Sequence, residues 1–401
     1  MEVRRVGRWL GFRRSFQKRF TQLGGILSRK DAPKVHDGGI RKIGGFRQVI
    51  KMTGAILRNR IRYRNPFMLL HSVTEACQAA CPYCPWAHGK RRPDELTLPE
   101  IKRLYEEARG LRMRYVHFWG GEPLTHPKIG EIAAHAVACG LITGMITNGG
   151  LLRRRADELI PYLNRLNVSL DYPGTKHNEM RATLGLYEQL IAGIEYVRSK
   201  WPKQPILLSF TLCKDNRDAV REAAYLARQL GVRLYINPMR AGALVSDGGE
   251  VEDATRHRND SAFDVDNSAR VIPWADQREV WETLISLKKA GYPIQNTHYY
   301  MKLIARSGRA PEYRCHWPKM CVAIDANGDI VDCQRWNRPI ASVRTTPLRD
   351  IVQLPRMREL YGEAGESCSA CASPARVEPS RMWGLHPGMV TGAISSLILR
   401  R

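Results

Sequence analysis

Residues 67–86 read FMLLHSVTEACQAACPYCPW. The opening run, Phe67–Val73, is mostly apolar and short, and reads as a buried strand. A loop follows in which Cys77, Cys81 and Cys84 are spaced C-x3-C-x2-C. A strand that ends in three closely spaced thiols sets the frame for the rest of the chain. Five further runs of strand character follow: RYVHFW (114–119), LITGMIT (141–147), RLNVSLD (165–171), ILLSFTL (206–212) and VRLYINP (232–238). Helical periodicity fills the gaps at about 98–110, 128–139, 152–162, 185–200 and 216–231.

Six strands separated by helices predict an α/β fold with parallel strands. The expected architecture is a partial (β/α)6 TIM-like barrel over residues 65–300. A basic helical arm (1–64) precedes it. A small Cys-rich module (301–378) and an apolar tail (379–401) follow. In barrels of this kind the chemistry gathers at the C-terminal ends of the strands. The acidic, Gly- and Asn-rich segment 241–270, with seven acids and three Arg, falls after the sixth strand and is expected to cover that end.

Three soft thiolates on one tight loop suit an iron–sulfur cluster. A four-iron cluster held by three cysteines keeps one iron open to a small molecule, whereas a structural zinc site asks for four protein ligands. Ten cysteines in a chain without an apolar leader segment point to a reducing compartment, where thiols serve as ligands or catalysts more often than in disulfides. Cys139 and Cys213 lie in apolar patterns and are expected in the core.

These residues resemble the radical S-adenosylmethionine (SAM) superfamily. Beyond the three cysteines, Tyr83 fills the family's aromatic slot between the second and third. WGGEPL after the second strand matches its GGEP motif through Gly120, Gly121, Glu122 and Pro123. TNGG (147–150) follows the third strand, and SLDYPGTKHNEMR the fourth, with Ser169, Asp171, His177 and Arg181 in the places of a family S-x-D…H…R stretch. The resemblance covers about residues 67–375. It implies a [4Fe-4S] cluster on Cys77, Cys81 and Cys84 that binds SAM. Tyr83, Gly120, Gly121, Glu122, Pro123, Asn148, Ser169 and Arg181 would line the SAM site, with Arg181 gripping the methionine carboxylate. It implies an enzyme that cleaves SAM to a 5′-deoxyadenosyl radical, which abstracts hydrogen from an unactivated C–H bond. The electron would come from a flavodoxin- or ferredoxin-type donor.

Cys315, Gly328 and Cys333 follow C-x12-G-x4-C, and Cys368 and Cys371 follow C-x2-C. This is similar to SPASM/Twitch modules, and implies an auxiliary [4Fe-4S] cluster on Cys315, Cys333, Cys368 and Cys371. Cys321 stands as a possible replacement for one of them. A four-Cys zinc site is the competing reading.

The formal net charge is +24, from 63 Lys/Arg and 39 Asp/Glu, and +15 of it falls in residues 1–64. Trp9, Phe12, Phe16, Phe20, Leu23 and Leu27 share a helical face there, amid Arg and Lys. That pattern fits a helix lying on an anionic membrane. No run reaches the ~18–20 apolar residues of a membrane-spanning helix. The favoured expectation is therefore a cytoplasmic enzyme, peripheral on the inner face of the membrane, acting on a membrane lipid or another membrane-delivered substrate. Maturation of a ribosomal peptide, oxidation of a small alcohol or sugar, RNA modification and non-catalytic electron transfer are the alternatives.

Overall fold

The computed structural model describes residues 65–239, 267–308, 313–331, 339–357 and 373–384, together with Gly54, Arg58 and Glu359. The amphipathic arm, most of the acidic segment, the apolar tail and Cys333, Cys368 and Cys371 lie outside the described residues.

The described chain opens with β1 (Met68–Thr74) and α1 (Leu98–Gly110). Helix α1 starts where Thr97 and Glu100 form a capping box. Glu100 Oε2 accepts the Thr97 N–H at 2.7 Å, satisfying backbone that the first turn leaves open. Then follow β2 (Tyr115–Gly120), α2 (Ile129–Ala138), β3 (Ile142–Thr147), α3 (Leu152–Leu159) and β4 (Arg165–Ser169). A short α4 (Lys176–Met180) and α5 (Leu186–Lys200) lead to β5 (Ile206–Leu212). Helix α6 (Val220–Gln229) and β6 (Arg233–Pro238) complete the repeat. Thus the helix expected at 216–231 begins as a 3-10 turn, Lys214–Ala219, and turns α-helical at Val220.

The six strands pair in parallel in the order of the sequence, from β1 to β6. Parallel connections of this kind are right-handed. With a strand order that never reverses, they put every connecting helix on the same face. That face holds the large core, with Leu69, Val116, Phe118, Met145, Val168, Leu208 and Ile236 fully or almost fully buried against the helices. The residues between them on the strands point to the other face. His117, Trp119, Arg165, Asn167, Ser169, Tyr235 and Asn237 are all only half-buried there.

The chain continues with α7 (Arg278–Lys289), α8 (His298–Ser307) and α9 (Trp317–Met320). Strand β7 (Cys321–Ile324) then pairs in parallel with β1, on the edge away from β2. β8 (Asp329–Val331) and β9 (Ala341–Ser342) extend the sheet antiparallel. Gly328 makes the β7–β8 hairpin possible: its φ is +93°, and its N–H bonds to Asp325 O at 3.0 Å. The described strands of the Cys-rich segment are thus built onto the same sheet. α10 (Leu348–Ile351) and α11 (Pro374–Trp383) close the described chain.

Candidate active site

The cysteine loop leaves β1 at Thr74, whose hydroxyl donates to Glu95 Oε1 at 2.8 Å, and the same oxygen accepts the Glu75 N–H. The Cys77 N–H bonds to Gly89 O at 2.8 Å, the His88 N–H to Ala79 O at 2.9 Å and the Cys84 N–H to Cys81 O at 3.1 Å. The loop is therefore folded by its own backbone. It also rests on the end of β2: Gly121 N–H donates to Thr74 O (2.9 Å) and Glu122 N–H to Ala76 O (2.7 Å). A Cβ at Gly121 would overlap the carbonyl oxygens of Glu75 and Ala76. The approach that this glycine permits is of the cysteine loop itself.

Glu122 is almost fully buried and ties three strand ends together. Its carboxylate accepts from Leu124 N–H (3.0 Å), Thr147 Oγ1 (2.7 Å) and Asn148 N–H (2.7 Å). Burial pushes its pKa up, and the three donors oppose that. Pro123 opens the 3-10 turn that follows. Asn148 is held so that its Oδ1 accepts from Gln78 Nε2 at 3.1 Å, while its Nδ2 stands 4.0 Å from Cys77 Sγ.

Past β4, Asp171 forms the second node. Arg181 donates to it twice, Nε to Oδ2 at 2.7 Å and Nη2 to Oδ1 at 3.2 Å, and Tyr83 Oη bonds to the same carboxylate. Asp171 is held below its usual pKa by the adjacent Arg181, against the cost of burial. The Asp171 N–H donates to His177 Nδ1 at 3.1 Å, which fixes the neutral tautomer, and burial drives the His177 pKa down to about 3. Ser169 is half-buried at the end of β4 and pairs in register with Ser209. The sequence pattern therefore brings Tyr83 and Arg181 together with the cysteine loop. It did not reveal that Asp171 joins them, because the two contacts span 88 and 10 residues. Cys213 is buried in this same corner with Met180 and Met239, and Tyr83 packs on it. Cys139, expected in the core, is buried in the main one, at the end of α2.

The three thiols fit a cluster by chemistry. Burial pushes Cys77 up to about 12, Cys84 up to about 11 and Cys81 upward; the charges of Cys81 and Cys84 raise Cys77 further, and that of Cys81 raises Cys84. Thiols so placed deprotonate when a cation takes up their charge. Among the described residues no three metal-ligating side chains converge on a single ion. A four-iron cluster does not require that, since each thiolate takes its own iron.

At the opposite end of β1, Cys321 lies in register with Met68. Cys315 and Cys321 are both buried in one apolar cluster with Phe67, Trp317, Met320 and Trp383. Ser380 Oγ stands 4.0 Å from Cys315 Sγ. The length of β1, about 20 Å by its rise per residue, separates this cysteine pair from the first loop.

The model of the radical SAM superfamily matches residues 71–236. The chain carries a radical SAM domain. A second model, SPASM, an iron–sulfur cluster-binding domain, matches residues 315–372. Radical SAM relatives include an AdoMet-dependent heme synthase of Methanosarcina barkeri, 31% identical over 42% of this chain and 49% of its own. A PqqA peptide cyclase of Ruegeria pomeroyi is 33% identical over 42% of this chain and 46% of its own. The chain thus spans about half the length of these curated relatives. Among solved structures, SuiB of Streptococcus suis bound to S-adenosylmethionine superposes with a TM-score of 0.56, at 15% identity, over 80% of this chain and 72% of that one. A radical SAM domain binds a [4Fe-4S] cluster and SAM, and a SPASM domain binds an auxiliary iron–sulfur cluster.

Proposed function

We propose that this chain is a radical SAM enzyme that modifies a peptide. The observation that carries the reading is the placing of the Cys77–Cys84 loop at the C-terminal end of β1, beside the ends of β2, β3 and β4. Cys77, Cys81 and Cys84 would hold the cluster. Gly120, Gly121, Glu122, Pro123, Asn148, Ser169, Arg181 and Tyr83 are the proposed surroundings of SAM. When bound, cluster and SAM supply the radical that takes hydrogen from an unactivated C–H bond, with one electron drawn from a flavodoxin- or ferredoxin-type donor. Arg181 uses two of its five N–H donors on Asp171, and the remaining ones suit the methionine carboxylate. Glu122 and Asp171 hold this frame rigid.

The sequence favoured a membrane lipid. That expectation rests on the arm, outside the described residues, and among those described no helix is long and apolar enough to cross a membrane. Two observations support a peptide instead. One relative is a peptide cyclase. The helix-free face near the site is lined by Asn167, Ser209, Thr211 and Asn237, with Asn237 Nδ2 donating to Ser209 Oγ at 3.0 Å. Amide and hydroxyl groups suit a substrate rich in amides better than an acyl chain. The auxiliary cluster is proposed on Cys315, Cys333, Cys368 and Cys371, with Cys321 beside Cys315.

The test uses cells grown in deuterated medium. Their extract, split into peptide and lipid fractions, is given to the enzyme with SAM and dithionite. A substrate returns deuterium to 5′-deoxyadenosine, whose mass rises by one unit. The expected result is deuterium from the peptide fraction, lost after protease treatment. Deuterium from the lipid fraction alone overturns the peptide reading.

A further inference from the structure

The helix-free face carries one cation that the reading above leaves unused. Arg165 begins β4 and points to that face, since its Nε donates to Asn167 Oδ1 at 3.1 Å, two residues on. One rung of the sheet runs Leu70, His117, Gly144, Arg165 across β1 to β4. Gly144 has no side chain, and its place is taken from one side: a Cβ there would overlap Tyr115 Oη and come within 2.7 Å of His117 Nδ1. Tyr115 and His117 are joined by a hydrogen bond of 3.0 Å and lean over Gly144 toward Arg165. Tyr235 and Glu378 are close enough to feel the charge of Arg165. Among the described residues no carboxylate lies within ion-pair distance of its guanidinium, and its one hydrogen-bond partner is a neutral amide.

We propose that Arg165 is the anchor for a carboxylate of the substrate, on the helix-free face at the end of β4 away from the cluster and SAM site. This rests on the radical SAM reading and names a feature of its substrate. A guanidinium left half-buried, beside neutral hydrogen-bonding groups, is a site built for an anion. The neighbours also set the charge of that anion. His117 is neutral, its pKa lowered to about 3 by burial, and adds no second positive charge beside the guanidinium. A single guanidinium flanked by neutral groups balances one negative charge, which favours a carboxylate over a phosphate dianion. Tyr115 Oη and Asn167 supply hydrogen bonds at its side. β4 is five residues long. Its rise puts Arg165 about 13 Å from Ser169 along the strand, a reach that a glutamate side chain plus one or two peptide units would span, bringing a neighbouring C–H to the end that carries the cysteine loop.

The full-length, cluster-loaded protein is saturated with SAM so that Arg181 is already engaged. Glutarate, glutaramide and inorganic phosphate are then titrated by ligand-observed NMR. Glutarate is expected to bind at least tenfold more tightly than either other probe, and Arg165→Gln to remove that preference. Equal binding of glutaramide, a preference for phosphate, or unchanged glutarate affinity in Arg165→Gln overturns the proposal. Should Arg165→Gln not fold, Arg165→Lys gives the same readout: a three- to tenfold loss is expected, because a point charge replaces the fork, and no loss overturns the anchor. Release of 5′-deoxyadenosine by the unaltered protein is measured alongside. Its absence would sink the radical reading while the titration still reports on the anchor.

Discussion

Arg181 and Asp171 form a two-pronged ion pair in which both side chains are almost fully withdrawn from solvent, 8% and 1% exposed. Through Asp171 the pair also holds Tyr83, the aromatic residue of the cysteine loop. One buried carboxylate thus joins the loop after β1 to the segment after β4. Asp171→Asn leaves the Arg181 charge without its counter-ion, a change that costs about 3–5 kcal/mol in buried pairs. The variant is expected to unfold at clearly lower urea concentration, and an unchanged midpoint would show that the pair does not bear on stability. The sign of the pH effect follows from the lowered pKa of Asp171. Its contribution is complete above the unfolded carboxylate value of about 3.9 and is lost as pH falls through the lower folded value.

Arg181→Ala is expected to weaken SAM binding by about 1.5–3 kcal/mol, the value of hydrogen bonds to a charged group. Because Ala also breaks the pair with Asp171, Arg181→Lys is measured beside it. Lysine keeps the charge and loses the fork. SAM affinity is expected in the order Arg, Lys, Ala, and equal affinity in all three would place the methionine carboxylate elsewhere.

Two glycines separate backbone from side-chain crowding. In Gly121→Ala the new methyl meets the carbonyl oxygens of Glu75 and Ala76, which cannot turn aside. In Gly144→Ala it meets the ends of two side chains, Tyr115 and His117. Gly121→Ala is expected to lower iron content by distorting the cysteine loop. Gly144→Ala should keep its iron and lose about 1–3 kcal/mol of stability through overpacking. Iron analysis with urea unfolding distinguishes the two outcomes.

The six strands up to residue 238 and the five longer helices between them were legible because each announces itself within about a dozen residues. The apolar run of β1 and the helical period of 98–110 both act locally. The motif residues were legible for the same reason, since each follows a strand end. Asp171 was visible only as a motif letter. Its partnership with Tyr83 depends on a fold that brings distant segments together. The pairing of β7 with β1 was hidden likewise: no local signal in Cys321–Ile324 says that it lies beside Met68. The emptiness at Gly144 has meaning only once Tyr115 leans over it.

Buried histidines predict an acid-labile fold. His71 is fully buried, its Nδ1 is 2.8 Å from Tyr105 Oη, and burial lowers its pKa to about 3. His177 shares that direction and that value. Both stay neutral when folded and take up a proton when unfolded, so stability is complete above about pH 6.5 and falls below it. Burial lowers His117 and His126 likewise, to about 3 and about 4, and four such groups give a slope approaching about 5.4 kcal/mol per pH unit. Unfolding of the cluster-free chain between pH 7 and 5 checks this, and His71→Phe should reduce the slope by about a quarter. An unaltered slope would mean that His71 is already protonated in the fold.

On the proposed function, the Cys77–Cys84 loop carries the chemistry. Its most direct test is the yield of 5′-deoxyadenosine from SAM and dithionite under strict anaerobiosis, compared between the unaltered protein and the triple variant Cys77→Ala, Cys81→Ala, Cys84→Ala. 5′-Deoxyadenosine is expected from the first and none from the second, while the second keeps the iron bound at the auxiliary site. Production of 5′-deoxyadenosine by the triple variant would contradict it.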